Sequence, residues 1–214
     1  MKIVWIIGVG RFGVLAFKRL SKQHKEWQFV LVDKIKEKLD RVQGPNITLV
    51  HSDGIRFLKE NLKPGSEVLR VIPSLPVHLA WEWCSAQTGH DSLIKAQLPF
   101  DIDSFLPNPI HGTDGNVYVS NADFLCPDNC IEPKNMCTVT KRPRKQDMFS
   151  RLAELHYKKY TPIVLRSRQL GPGIGGYSPA QLFSFLNQAE QQKGPMLLCT
   201  ACRCHGVITA ADSL

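Results

Sequence analysis

The sequence predicts an α/β chain: a doubly wound, mostly parallel sheet with a loop-rich, cysteine-containing insert. Three observations point there. Short apolar runs alternate with helical stretches through the first 88 residues, the pattern of parallel strands joined by right-handed crossovers. A glycine turn, Gly8-Val9-Gly10-Arg11-Phe12-Gly13, separates the first run from the first helix. Between residues 89 and 137 the period disappears, and five prolines and three of the seven cysteines take its place.

Taken in order, Lys2–Ile7 is a short β-branched run suited to a strand buried on both faces. A helix is expected over 12–24, a second strand over 28–32 and a helix over 34–42, which Gly44-Pro45 breaks. A strand over 46–50, a helix over 55–62, a strand over 67–72 and a helix over 76–87 follow. In the irregular stretch only 117–119 reads as a strand. Regularity returns with a strand over 137–140, a helix over 147–160, a strand over 162–166, a glycine-rich loop over 171–176, a helix from Ser178 or Pro179 to about residue 192, and a strand over 196–200. The expected division is 1–90 as the nucleotide-binding core, 91–140 as the insert, and 141–214 as an α/β extension on the same or an adjacent sheet.

The glycine turn carries the chemistry. Gly8 permits a tight turn out of the strand, Gly10 lets backbone approach a pyrophosphate, and Gly13 lets the helix pack against the strand. The backbone N–H groups of Arg11, Phe12 and Gly13 then face the phosphates. Asp33 ends the second strand 20 residues after Gly13, where a carboxylate accepts ribose hydroxyls and repels a 2′-phosphate. NAD(H) is therefore favoured over NADP(H), with Lys34 blunting the preference. Asp53 and Gly54, after the third strand, suit an adenine contact or a helix N-cap. Ile72 and Pro73, ending the fourth strand, should border the nicotinamide. His78 just beyond is an acid–base candidate, and His111 has a similar claim.

Six of the seven cysteines form two clusters, Cys126, Cys130 and Cys137, then Cys199, Cys202 and Cys204 with His205 beside them. Zinc and iron–sulfur clusters both want four such ligands, so four of these seven residues are expected to bind zinc or a cluster. A dithiol of Cys199 and Cys202, with Cys202 reactive, is an alternative, as are inert thiols. Cys84, flanked by Trp81 and Trp83, reads as core. Arg166 and Arg168 beside Gly173 and Gly175 suggest a second anion nest, or a flexible turn.

The chain has 214 residues and a net charge of +8. Nine basic residues against two acids fall between Lys141 and Arg168. No aromatic interleaving accompanies them, so a solvated basic face is favoured over nucleic-acid binding. No apolar run reaches the ~18 residues of a membrane span, and the first is too short for a signal peptide. A cytoplasmic protein acting on a small molecule is expected, and self-association is left open.

The first quarter of the chain, through Ile6-Ile7-Gly8-Val9-Gly10-Arg11-Phe12-Gly13, Val30-Leu31-Val32-Asp33 and Ser52-Asp53-Gly54, resembles the NAD-binding domains of potassium-uptake regulators of the regulator-of-K⁺-conductance type. The resemblance implies that the glycine loop holds the pyrophosphate, Asp33 the ribose and Asp53 the adenine side. The cysteine clusters and the 171–176 loop depart from that pattern. Asp53-Gly54-Ile55-Arg56-Phe57-Leu58 also resembles the turn of spermidine-synthase-like enzymes, which implies an S-adenosyl ligand. The leading expectation is an NAD(H)-binding oxidoreductase with a cysteine-held metal or cluster. A nucleotide- or redox-sensing regulatory protein comes second and an S-adenosyl-dependent transferase third.

Overall fold

A computed structural model describes residues 2–89 and 92–213. Its first layer is a parallel sheet of four strands: β1 (Lys2–Ile7), β2 (Trp27–Asp33), β3 (Ile47–His51) and β4 (Val68–Pro73), in the order β3-β2-β1-β4. Helices α1 (Arg11–Gln23), α2 (Lys36–Asp40) and α3 (Gly54–Asn61) connect these strands. The register pairs Ile6 with Leu31 and with Ile72, so three apolar strands stack their buried residues side by side.

Helix α1 buries a stripe of Gly13, Ala16, Phe17 and Leu20 at helical spacing. That face packs with Phe29, Leu31 and Ile174 into one core. Gly13 is what lets α1 begin so close to β1: a Cβ there would stand 1.9 Å from the Gly8 carbonyl oxygen. Helix α3 starts at Asp53, whose Oδ1 accepts the N–H groups of Ile55 and Arg56, each at 3.0 Å.

Helix α4 (Leu79–Thr88) leads into the second layer. There β5 (Leu93–Ala96), β6 (Ile110–His111), β7 (Val117–Ser120), β8 (Thr161–Arg166), β11 (Gly194–Ala201) and β12 (His205–Ser213) form a six-stranded mixed sheet. Only β8 and β11 pair in parallel. β12 is central: one edge pairs with β11, and the other pairs with β7 along its first half and β5 along its second. Between the β8 and β11 strands lie the hairpin β9 (Arg168–Gly171) and β10 (Ile174–Gly176), and α6 (Pro179–Gln191). Ser178 and Gln181 form a capping box at the start of α6, with Pro179 in its first turn. One core joins the layers, with Trp5 and Ile7 of the first sheet, Trp83 and Cys84 of α4, Phe185 of α6 and Leu198 of β11.

The C-terminal strands thus build a separate, largely antiparallel sheet, so the expectation of a mostly parallel sheet describes the N-terminal layer only. The hairpin does reach that layer: Val71 of β4 and Tyr177 exchange backbone hydrogen bonds of 2.8 and 3.1 Å. β12 was not expected, since only residues 207–209 within it carry strong β-propensity; pairing on both edges extends it to nine residues. The expected strand over 137–140 is a turn instead, with a lone bridge between Met136 and Pro143. The expected helix over 147–160 stops as α5 (Met148–Ala153), because the chain turns to bury Leu155 and Tyr157 before entering β8. The expected boundary at residue 90 lies outside the described residues, and the expected insert divides: residues through Ser120 supply β5, β6 and β7 of the second sheet, so the loop-rich insert proper, without a buried apolar side chain, is 121–147.

Gly13→Ala should lower stability by about 1–3 kcal/mol, because backbone must move to admit the methyl group. Urea unfolding of the variant beside the parent chain measures this.

Candidate functional site

The loop from β1 to α1 lies at the carboxyl ends of the parallel strands, where open α/β sheets place their ligands. The Gly8 N–H donates to the Val32 carbonyl at 2.8 Å, and the Ser74 N–H, just past Ile72 and Pro73, donates to Ile7 at 2.8 Å. Gly10 is the N-cap of α1, in extended backbone, and a Cβ there would meet nothing within 4 Å. No side chain caps α1 and no acid stands in its first turn. The N–H groups at this helix end therefore have no side-chain cap, and the helix dipole there favours an anion.

Asp33 lies beneath the loop, 4% exposed. Its Oδ2 accepts the Val9 N–H at 2.7 Å and its Oδ1 accepts the Ile35 N–H at 2.9 Å. The carboxylate thus fixes the loop itself, and each oxygen keeps a further lone pair. Lys38 stands 3.9 Å from Oδ2, while Lys34 is exposed. Asp53 is occupied at Oδ1 as the α3 cap. Gly54 packs on Ile7, whose Cγ2 would lie 2.4 Å from an added Cβ.

Beside this loop opens a cleft of about 800 Å³. Phe12, 55% exposed, brings the first turn of α1 into its wall. Cys126, Cys130, Cys202, Cys204 and His205 line it, as do Gly173 and Gly175 of the hairpin. The first turn of α1, through Phe12, and members of both cysteine clusters therefore meet at one place, although more than a hundred residues separate α1 from either cluster. Polar ties hold them there. Arg11 pairs with Asp128, Arg19 donates to the carbonyls of Asp128 (2.7 Å) and Pro172 (2.5 Å), and Gln169 donates to the Cys130 carbonyl at 2.7 Å.

The 171–176 loop is the β9–β10 hairpin, not an anion nest. The Gly173 N–H donates to the Cys130 carbonyl at 2.9 Å. At φ +70°, an added Cβ on Gly173 would lie 2.0 Å from the Asp128 carbonyl oxygen. An added Cβ on Gly175 would lie 2.6 Å from Ser167 Oγ. The glycines admit the insert rather than a ligand. Arg166 does not join them either: its guanidinium stacks on Phe149 at 3.9 Å, while Arg168 is exposed.

All seven cysteines are free. Cys84 and Cys199 are fully buried, and burial pushes both thiols up; Cys199 belongs to the core of the second sheet, not to the cleft. The remaining five lie in the insert and in the β11–β12 turn. Cys202 Sγ accepts the N–H groups of Cys204 and His205, each at 3.4 Å. Burial and then Glu132 push its thiol up to about 12, the opposite of a reactive thiolate. Burial lowers His205, whose Nδ1 lies 3.9 Å from Cys202 Sγ. Cys130 Sγ accepts the Glu132 N–H at 3.4 Å, and Arg144 donates to Cys204 Sγ at 3.0 Å. Among the described residues, no three His, Cys, Asp or Glu side chains already stand grouped at metal-ligand positions.

His78 is a core residue rather than an acid–base group. It is 2% exposed. Its Nδ1 lies 2.8 Å from Thr209 Oγ1 and its Nε2 lies 2.8 Å from Thr200 Oγ1. Thr209 spends its own proton on Asn116 Oδ1 at 2.6 Å, so Nδ1 must carry the proton and Nε2 must accept from Thr200. His111 bonds Asp103 at 2.8 Å, outside the cleft. The ties made by Asp128, Glu132 and Arg144 were not foreseen. Each is a lone charged residue in an irregular stretch, with no spacing to mark it.

Two outcomes follow for this region. Burial lowers His78 from 6.5 to about 3, with Lys95 lowering it further and Asp114 opposing. Between those values the unfolded chain binds a proton that the folded chain refuses, so stability falls as pH drops through that window, by at most about 1.4 kcal/mol per pH unit from this group. His78→Gln should cost about 1–3 kcal/mol at pH 7 and flatten the acid slope; urea unfolding at several pH values measures both. Gly173→Ala should loosen the insert from the hairpin and speed proteolysis within residues 121–147, with thermal unfolding of the rest little changed.

Residues 80–213 match the family described as "Uncharacterized protein, C-terminal domain" (AF_1314_C). An uncharacterised protein of Archaeoglobus fulgidus is 32% identical over 230 aligned positions, covering 96% of this chain and 97% of that relative. No solved structure matches. No described helix is long and apolar enough to cross a membrane. With the second sheet, the β11–β12 cysteines and the coreless insert all inside the matched region, the chain belongs to the AF_1314_C family.

Proposed function

We propose that this chain is an NAD(H)-binding redox protein whose first layer is a Rossmann-like, doubly wound sheet and whose cleft wall carries a cysteine-held metal. The observation that carries the reading is the start of α1. Gly10 faces open space, the helix end has no side-chain cap, and β1 lies between β2 and β4 at the carboxyl edge of a parallel sheet. A diphosphate fits that combination of space and dipole. Asp33 supports an unphosphorylated ribose, since its spare lone pairs accept hydroxyls and its charge repels a phosphate.

A bound nicotinamide dinucleotide supplies hydride chemistry. The chain's own residues bind and orient it: the N–H groups of α1 hold the diphosphate, and Asp33 holds both the loop and the ribose. The cysteine-lined cleft adjoins this site through Phe12, which stands in its wall. His78 contributes no proton, being locked between Thr200 and Thr209.

A sensing role is favoured by one further observation. Arg11, in the first turn of α1, pairs with Asp128 of the insert. An anionic ligand at the loop competes with Asp128 for Arg11, so binding would loosen the insert without turnover. Oxidation of NADH with an added electron acceptor separates an enzyme from a sensor.

Titration with NADH and NADPH, followed by nicotinamide fluorescence, tests the binding. The parent chain should prefer NADH. Gly10→Val should fold normally, because a Cβ there meets nothing within 4 Å, yet bind NADH at least about tenfold more weakly, about 1.4 kcal/mol. Unchanged affinity would refute the loop as the site.

A further inference from the structure

The insert presents a physical problem. Between residues 121 and 147 no apolar side chain is buried, and there is neither a helix nor a strand. Leu125 is 97% exposed and Ile131 60%. A segment that buries no core gains almost nothing from the hydrophobic effect to offset the entropy of ordering it. Segments of this kind are commonly held by disulfides or a structural metal, and the cysteines here are free.

Five thiols lie in the two segments that meet at the cleft. Cys126, Cys130 and Cys137 lie in the insert, and Cys204 comes from the β11–β12 turn. Backbone bonds hold the two parts together: the Asn121 N–H donates to the Cys204 carbonyl at 2.8 Å, and the Arg203 N–H to Glu132 Oε1 at 2.6 Å. Cys130, Cys137 and Cys202 each sit at the head of a tight turn whose own N–H groups point back at the sulfur, the kind of bond that stabilises metal-bound thiolates. Cys126 lies within electrostatic reach of Cys130, Cys204 and Cys137. Cys202 shares that turn geometry and differs in its hydrogen bond to the Glu132 carboxylate.

We infer that Cys126, Cys130, Cys137 and Cys204 form a four-thiolate zinc site that orders the insert and closes the cleft wall. The ion draws the four sulfurs together and displaces a proton from each thiol. A divalent ion with four thiolates carries a net charge of about −2, and the surroundings offset it. Arg144, whose side chain is 6% exposed, donates to Cys204 Sγ and to the carbonyls of Pro133 and Lys134. Lys141, Arg142 and Lys145 add further positive charge in the same stretch. Part of the basic run thereby balances the thiolates. The inference rests on the cysteine half of the proposed function and is independent of the dinucleotide half.

The full chain, purified without chelator under anaerobic conditions, tests it by elemental analysis. About one zinc per chain is expected. Iron with inorganic sulfide, or no metal after reconstitution with zinc, would overturn it. Cys126→Ser, Cys137→Ser and Cys204→Ser should each weaken zinc binding by about 100-fold or more, whereas Cys202→Ser should retain the ion; the reverse pattern overturns the ligand set. Cobalt in the parent chain keeps the test independent of variant folding. Its charge-transfer bands should report four thiolates, and an imidazole ligand would refute the assignment. NADH titration of the same samples keeps the two halves apart, since zinc loss with intact NADH binding indicts only the metal site.

Discussion

A single buried imidazole sets the two layers against each other. His78 follows the last strand of the parallel sheet and opens α4, and its ring is gripped by Thr200 of β11 and Thr209 of β12. The bonds have one consistent direction, Thr200 to His78 to Thr209 to Asn116, whose amide nitrogen goes on to Asp114. A buried chain of this kind stabilises only when every member is satisfied. Its reward is register: it fixes where β11 and β12 lie relative to β1 and β4. The β11–β12 turn, with Cys202, Cys204 and His205, then arrives beside the glycine loop.

From that register follows a cleft with two unlike walls. On one side α1 is held by dense apolar packing and by Gly13 against Gly8. On the other, the insert is held almost wholly by polar groups: Arg11 and Arg19 from α1, Gly173 and Gln169 from the hairpin, and Arg144 within the insert. Exposed ion pairs contribute little individually, so this wall is the softer one. That contrast suits a site in which a rigid loop holds a ligand while the opposite wall responds to it, and it explains why a metal would matter more in the insert than anywhere else in the chain.

Much of the N-terminal layer was legible because its signals are local. Strand and helix periods, the glycine turn and Asp33 all fall within one supersecondary unit. Asp53 was ambiguous between cap and ligand contact, and the structure shows the cap. The C-terminal half was harder to read. β12 is set by pairing on both edges, α5 ends where tertiary burial of Leu155 and Tyr157 wins over helical spacing, and the 171–176 glycines read as a nest although Gly173 makes room for Asp128. In each case a partner distant in sequence decides.

The sequence alone therefore determined the parallel α/β start, the placement of its glycine turn and the presence of cysteine-rich segments, since each depends on spacing within a few tens of residues. Only the tertiary structure decided that His78 is a strut, that Cys199 is core, and that both cysteine segments share a cleft with α1. Those outcomes depend on burial and on pairings across more than a hundred residues, and neither is written in local pattern.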